Sequence, residues 1–269
     1  MRVFRGVFAA GIYLCFHGIA AADVAKGIDT LEAGDVAGAV AEFQAAYAAG
    51  DADGAFYIGR LFEMGLGTEK DLGRATELYA AAVSKDSALA QNRLGLMYLN
   101  GETVLQDYER AAELICAAAD QGDPNGQFNC GLMYAEGRGV TQEKPRAVSY
   151  WKEAAEARHV AAINYLGLAY QAGDGLEQDP VAAFEQFSAT AAAGNPMGLF
   201  EVAKAYAGGV GVARDLVRAH GYANLAASRG MQEARVLRDA LTQQMDEADL
   251  SQAQGFARDW AAVEIAQPE

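Results

Sequence analysis

Positive charge is scarce in this chain. Its 21 Lys and Arg face 36 Asp and Glu, which gives 269 residues a formal net charge of −15. Phosphate backbones and anionic lipid repel such a chain, which argues against nucleic acid or a membrane surface as partner. Proline is rare, at five residues, and strand-forming runs of Val, Ile and Thr are missing. An Ala-rich, Leu- and Glu-containing chain of this kind favours helices. Histidine and cysteine number three each. Beyond residue 22 only His159 and His220 remain, without a carboxylate or Cys at ligand spacing, so no metal is expected. Gly208-Gly209-Val210-Gly211 looks like a phosphate loop, but it follows a helix and lacks a Lys-Ser/Thr ending. No cofactor is expected.

Long apolar runs are also lacking, with one exception. Arg2 and Arg5 precede an apolar stretch from Val7 to Ile19, and Ala20-Ala21-Ala22 follows it. Basic start, short apolar run and small residues describe a secretory signal peptide over 1–22, cleaved before Asp23. The run is shorter than the roughly 20 residues a membrane span needs. Cys15 lacks the small preceding residues of a lipoprotein site. The sequence therefore predicts an exported, periplasmic protein with no membrane insertion after cleavage.

What is present is a repeat. Arg93-Leu94-Gly95-Leu96-Met97-Tyr98, Asn129-Cys130-Gly131-Leu132-Met133-Tyr134 and Tyr165-Leu166-Gly167-Leu168-Ala169-Tyr170 lie thirty-six residues apart. Further columns keep that register: Gly65, Gly101, Gly137, Gly173 and Gly209, then Asp71, Asp107, Glu143, Asp179 and Asp215. A fixed period of this length marks a stacked-repeat architecture. Leu94, Gly95 and Tyr98 share a helix face, and the interior Gly lets a neighbouring helix approach. Gly137 and Gly139 suit the positive φ that ends a helix. The Asp column sits where a second helix begins and needs an acceptor for its free N–H groups. Asp123-Pro124 and Asn195-Pro196 read as the cap and first residue of the next helix. Each unit is a helix–loop–helix hairpin, which buries both faces only when stacked. Thr103 replaces the second loop Gly and Glu143 the capping Asp, so the loop at Thr103 is expected to differ in shape.

These residues resemble the Sel1-like repeat, a relative of the tetratricopeptide repeat. The match is fullest over Gly126–Glu156, where Gly131, Tyr134, Gly137, Gly139, Val140, Ala147, Trp151, Ala154 and Ala155 stand in place. The resemblance implies an all-α, right-handed α-solenoid of stacked hairpins. It divides the chain into an N-terminal capping hairpin at 23–51, five repeats at 52–235, and C-terminal capping helices and tail at 236–269. In such proteins the first helices line the inner face. Helical spacing then nominates Tyr57, Arg93, Met97, Asn100, Asn129, Met133, Glu136, Tyr165 and Glu201 as a protein-binding stripe.

Cys116 and Cys130 flank the Gly122-Asp123-Pro124 turn on consecutive antiparallel helices. An oxidising compartment makes a disulfide natural. The other reading is a buried core Cys130 with a separate free Cys116.

The functional expectation is a non-enzymatic periplasmic adaptor. Resemblance to periplasmic Sel1-type regulators suggests a sensor domain or envelope protein as partner, within a signalling or envelope and polysaccharide system; a chaperone-like assembly factor is a further reading. The enzymatic alternative is β-lactam binding or weak β-lactamase activity, as proposed for cysteine-rich relatives. Ser149-Tyr150-Trp151-Lys152 matches the S-x-x-K element of penicillin-recognising enzymes, but S-D-N and K-T-G companions are absent. Those relatives carry a Cys pair in each repeat, and this chain does not.

Overall fold

A computed structural model describes residues 23–262. Among them are fourteen helices and no strand. No helix of the described residues is long and apolar enough to cross a membrane. The chain divides into two compact units, Met1–Ala82 and Val83–Glu269.

The first unit holds α1 (Val24–Glu32), α2 (Val36–Ala49), α3 (Asp53–Met64) and α4 (Leu72–Val83). Ala33 and Gly34 join α1 to α2, with Gly34 at φ 87° and the Asp35 carboxylate capping α2 through Gly38 N–H. Phe43, Ala39 and Leu61 form its buried centre. The signal peptide expected over 1–22 lies outside the described residues.

The second unit continues with α5 (Ala88–Asn100), α6 (Tyr108–Asp120), α7 (Pro124–Glu136), α8 (Lys144–Glu156), α9 (Val160–Ala172), α10 (Pro180–Ala192), α11 (Pro196–Gly208) and α12 (Leu216–Ser228). They pair as antiparallel hairpins stacked side by side, the α-solenoid arrangement that thirty-six-residue hairpins produce. Helices α13 (Gln232–Thr242) and α14 (Glu247–Asp259) follow. Helix α14 packs back on α12, where Phe256 meets Tyr222 edge-on at 5.0 Å and Arg229 lies 4.9 Å over the Trp260 ring.

The recurring columns each solve one packing problem. In α7, Gly131 lies directly under the Trp151 indole, whose Cδ1 would be 2.6 Å from an added Cβ. That contact brings α8 close enough for Trp151 Nε1–H to donate to the Phe128 carbonyl at 3.3 Å. The loop then closes in the same way each time. The N–H of the cap residue donates to the carbonyl of the column aromatic: Asp107 to Tyr98, Glu143 to Tyr134, Asp179 to Tyr170 and Asp215 to Tyr206, all at 2.9–3.0 Å.

Two departures behave differently from each other. Thr103 takes φ 63°, beside 69° at Gly139 and 72° at Gly211, so its loop keeps the common shape, contrary to the sequence expectation. The backbone there holds an L-residue in the left-handed region, which costs about 1–2 kcal/mol. Glu143 occupies the N-cap of α8 but makes no side-chain cap bond, whereas Asp107 and Asp215 both do. Its extra methylene carries the carboxylate past the free N–H groups.

Candidate protein-binding face

The first helices of the second unit place equivalent residues side by side. Arg93, Asn129, Tyr165 and Glu201 occupy one position in α5, α7, α9 and α11, but their environments diverge. Arg93 is half-buried and pairs with Glu102 at 3.1 Å. Asn129 donates from Nδ2 to Asn92 Oδ1 at 2.9 Å, tying α7 to α5. Tyr165 is the exposed member, at 37%. Asn100 and Glu136, at the helix ends, are exposed as well, and Glu136 pairs with Arg138 at 2.6 Å. Within the first unit, Tyr57 is half-buried and stacked on Phe43 at 5.1 Å. Burial pushes its phenol pKa up, and the Asp53 charge adds to that.

Three residues of the predicted stripe are not on the surface. Met97 is 0% exposed, Met133 2% and Glu201 7%. The methionines share their column with Leu61 and Ala169, which are also buried. They lie about 40° round the helix from Arg93, on the side that packs against the hairpin, while the open side runs the other way past Leu96. Glu201 sits at the right angle but is covered. Gln171 Nε2 donates to it at 3.4 Å and Lys204 Nζ pairs with it at 2.8 Å. The stripe that remains accessible is Arg93, Asn100, Asn129, Glu136 and Tyr165.

Sequence reasoning missed the surroundings of Tyr165. Its ring meets Phe128 edge-on at 5.3 Å and lies tilted against Trp151 at 5.3 Å. Phe128 in turn stacks on the His159 imidazole at 4.9 Å. These rings come from α7, α8 and the start of α9, so the exposed phenol stands on a rigid aromatic base. A signal existed: Phe56, Phe128 and Phe200 recur every second repeat, alternating with Asn92 and Asn164.

Beside this group runs a row of N-caps. Ser87, Asp123, His159 and Asn195 start α5, α7, α9 and α11, each accepting from the backbone N–H three residues on. His159 does so through Nδ1, 3.2 Å from Ala162 N, which requires that nitrogen to be unprotonated. Burial pushes its pKa down, against the opposing charge of Asp123. Burial likewise raises the Asp123 carboxyl above the usual range, with the bonds from Gly126 and Asn125 N–H offsetting it in part.

The remaining sequence candidates separate. Cys116 and Cys130 are joined, with an S–S distance of 2.02 Å, which links α6 to α7 and sets aside the free-thiol reading. Ser149 and Lys152 are both exposed on α8. Ser149 lines a recess with Asp120, Arg146 and Tyr150, and Lys152 does not. His220 is buried on α12 with Nε2 3.1 Å from Thr242 Oγ1. No cluster of three or more His, Cys, Asp or Glu among the described residues could hold a metal ion.

The family model for the Sel1 repeat matches five consecutive segments, residues 52–87, 88–123, 124–159, 160–195 and 196–231. Among solved structures, the chain is similar to a Sel1 repeat protein from Oxalobacter formigenes at 25% identity and a TM-score of 0.73, over 87% of this chain and 97% of that one. It is also similar to c5321, a protective antigen of uropathogenic Escherichia coli strains displaying an SLR fold, at 24% identity and a TM-score of 0.72, over 88% of this chain. The chain spans 55% of that antigen's length, and the likeness is one of fold. No curated protein matches the chain.

Proposed function

Because the chain belongs to the Sel1 repeat family, whose members are protein-interaction scaffolds, we propose that it is a non-enzymatic adaptor gripping a protein partner along α5, α7 and α9. One observation carries this reading: the exposed Tyr165 ring, held on Phe128 and Trp151 among neighbours already satisfied by one another. A rigid aromatic on a supported base gives large contact area at low entropic cost, which is one reason Tyr is enriched among interface hot spots. Arg93, Asn100, Asn129 and Glu136 would form the polar surround. The acidic chain disfavours nucleic acid as the occupant.

The N-terminal segment from Arg2 to Ala22 supports export to a periplasm, and a Cys116–Cys130 bridge suits an oxidising compartment. A sensor domain or envelope protein is the partner this location offers. The β-lactam reading has less to stand on, because Ser149 and Lys152 do not share a recess.

The test is photo-crosslinking in cells from a benzophenone amino acid at Asn100 or Glu136, with Ser149 on α8 as control. A discrete adduct should form from the first two positions, not from the control, and should vanish with Tyr165→Ala. Adducts that survive Tyr165→Ala, or that form equally from position 149, would refute the assignment.

A further inference from the structure

The first unit carries an apolar cleft larger than its counterpart two repeats on, a recess of about 330 Å³ that Val140 lines. The cleft's volume is about 720 Å³, within the roughly 300–1,000 Å³ range of ligand sites. Val36, Val40 and Tyr47 of α2 form one wall, Ile58 and Leu61 of α3 the floor, and α4 the other wall. Its single charged lining residue is Arg74.

One substitution accompanies the greater width. Four residues before the second-helix start, the later repeats place Val104, Val140, Leu176 and Val212. Val140 and Leu176 pack into one hydrophobic cluster and Val212 into the other. Those aliphatic side chains are set down by the loop between consecutive second helices. At the same position the first repeat has Thr68, which is exposed and polar. The rim is altered too. Leu66 is 41% exposed where the next three repeats carry Glu102, Arg138 and Asp174. The slot that Val140 narrows in its own repeat is left wider here, beside Thr68.

Of Arg74's equivalents, Arg146 also lies over an aromatic ring, 4.3 Å from the Tyr134 centroid, and hydrogen-bonds to Tyr150, while two others are paired with carboxylates. Arg110 pairs with Glu113 at 2.7 Å, and Arg218 pairs with Asp215 and donates to the Tyr206 hydroxyl. Arg74 lies 4.7 Å over the ring of Phe62, which has no hydroxyl, and no carboxylate pairs with it among the described residues. An apolar slot with one unneutralised guanidinium at its edge complements an aliphatic group next to a carboxylate.

We propose that this cleft is a second docking site, taking a polypeptide segment of a partner protein that presents Leu, Val or Ile side chains beside a carboxylate. A polypeptide is the occupant because Val140, Leu176 and Val212 pack a polypeptide's aliphatic side chains at the equivalent places. The site is independent of the Tyr165 face, so either assignment can fail alone.

The test is fluorescence anisotropy of the full chain with a short labelled peptide bearing several leucines and one glutamate. Saturable binding should weaken at least roughly tenfold in Thr68→Val, which installs the sister repeats' own residue, and in Arg74→Glu. Exchanging the peptide's glutamate for lysine should restore binding to Arg74→Glu, and Tyr165→Ala should leave the wild-type affinity unchanged. Both cleft variants change exposed side chains, and an unaltered circular dichroism melt establishes that they fold. Absence of saturable binding, or binding indifferent to Thr68→Val and Arg74→Glu, would overturn the proposal. So would displacement of the peptide by decanoate at equal concentration, which would make the cleft a fatty-anion site. A monomer–dimer equilibrium abolished by Thr68→Val would overturn it in favour of a second copy of this chain.

Discussion

Reducing the Cys116–Cys130 bridge should loosen one joint between repeats by an amount that can be worked out beforehand. The bridge closes a loop with a sequence separation of 14, joining the second helix of one repeat to the first helix of the next. Constraint of an unfolded loop of this size contributes about 3 kcal/mol. Little is lost from the native side, because Cys130 is 0% exposed at a position where Leu94, Leu166 and Val202 serve other repeats. A thiol there remains a small buried hydrophobe. For a urea slope of about 2 kcal/mol per M, the midpoint should fall by about 1.5 M on reduction. Stacked repeats are held by neighbour interfaces, so weakening one of them should also broaden the transition. The assay is urea unfolding followed by circular dichroism with and without dithiothreitol, with thiol counts of zero and two marking the two states. An unchanged midpoint with two thiols measured would refute the chain-entropy reasoning.

Thr103→Gly should raise stability by about 1 kcal/mol in thermal unfolding, since it relieves a φ of 63°; a lower melting temperature would show that the left-handed backbone is not strained. Glu143→Asp should add about 1 kcal/mol by supplying the missing cap on α8, measured in the same way. The pH dependence follows from two histidines whose pKa values burial pushes down, with Arg238 reinforcing the effect at His220. The unfolded chain then binds protons more tightly than the folded one, so stability is full above the ordinary histidine pKa of about 6.5 and declines as pH falls below it. His159→Asn keeps a side-chain oxygen at the cap and should flatten that decline by part, with His220 accounting for the remainder. A slope unchanged between pH 7 and 5 would remove His159 from the explanation.

The hairpins were legible because each column meets the same contact in every copy. Gly131 under Trp151 and the N–H of Asp107 on the Tyr98 carbonyl are local geometry, and the period displays them. Met97, Met133 and Glu201 were misplaced for a different reason. Helical spacing gives an angle around one helix, but neighbouring hairpins decide where coverage ends, and Glu201 is hidden by Gln171 and Lys204 from α9 and its own helix. The base under Tyr165 draws on residues from adjacent repeats, so only a double-length period hinted at it. The wide cleft by Thr68 was legible in the sequence only once Val140 and Val212 had been seen to pack at the equivalent places.

Ser87, Asp123, His159 and Asn195 begin four helices with a hydroxyl, a carboxylate, an imidazole and an amide. The backbone asks only for a lone pair at that place, so scaffold geometry leaves the rest of the group's character undetermined. Ser87 and Asp123 are buried, so it is His159 and Asn195, both partly exposed, that set different groups at equivalent places on neighbouring repeats. Those two modules thereby differ in surface chemistry without any change to the way their helices begin.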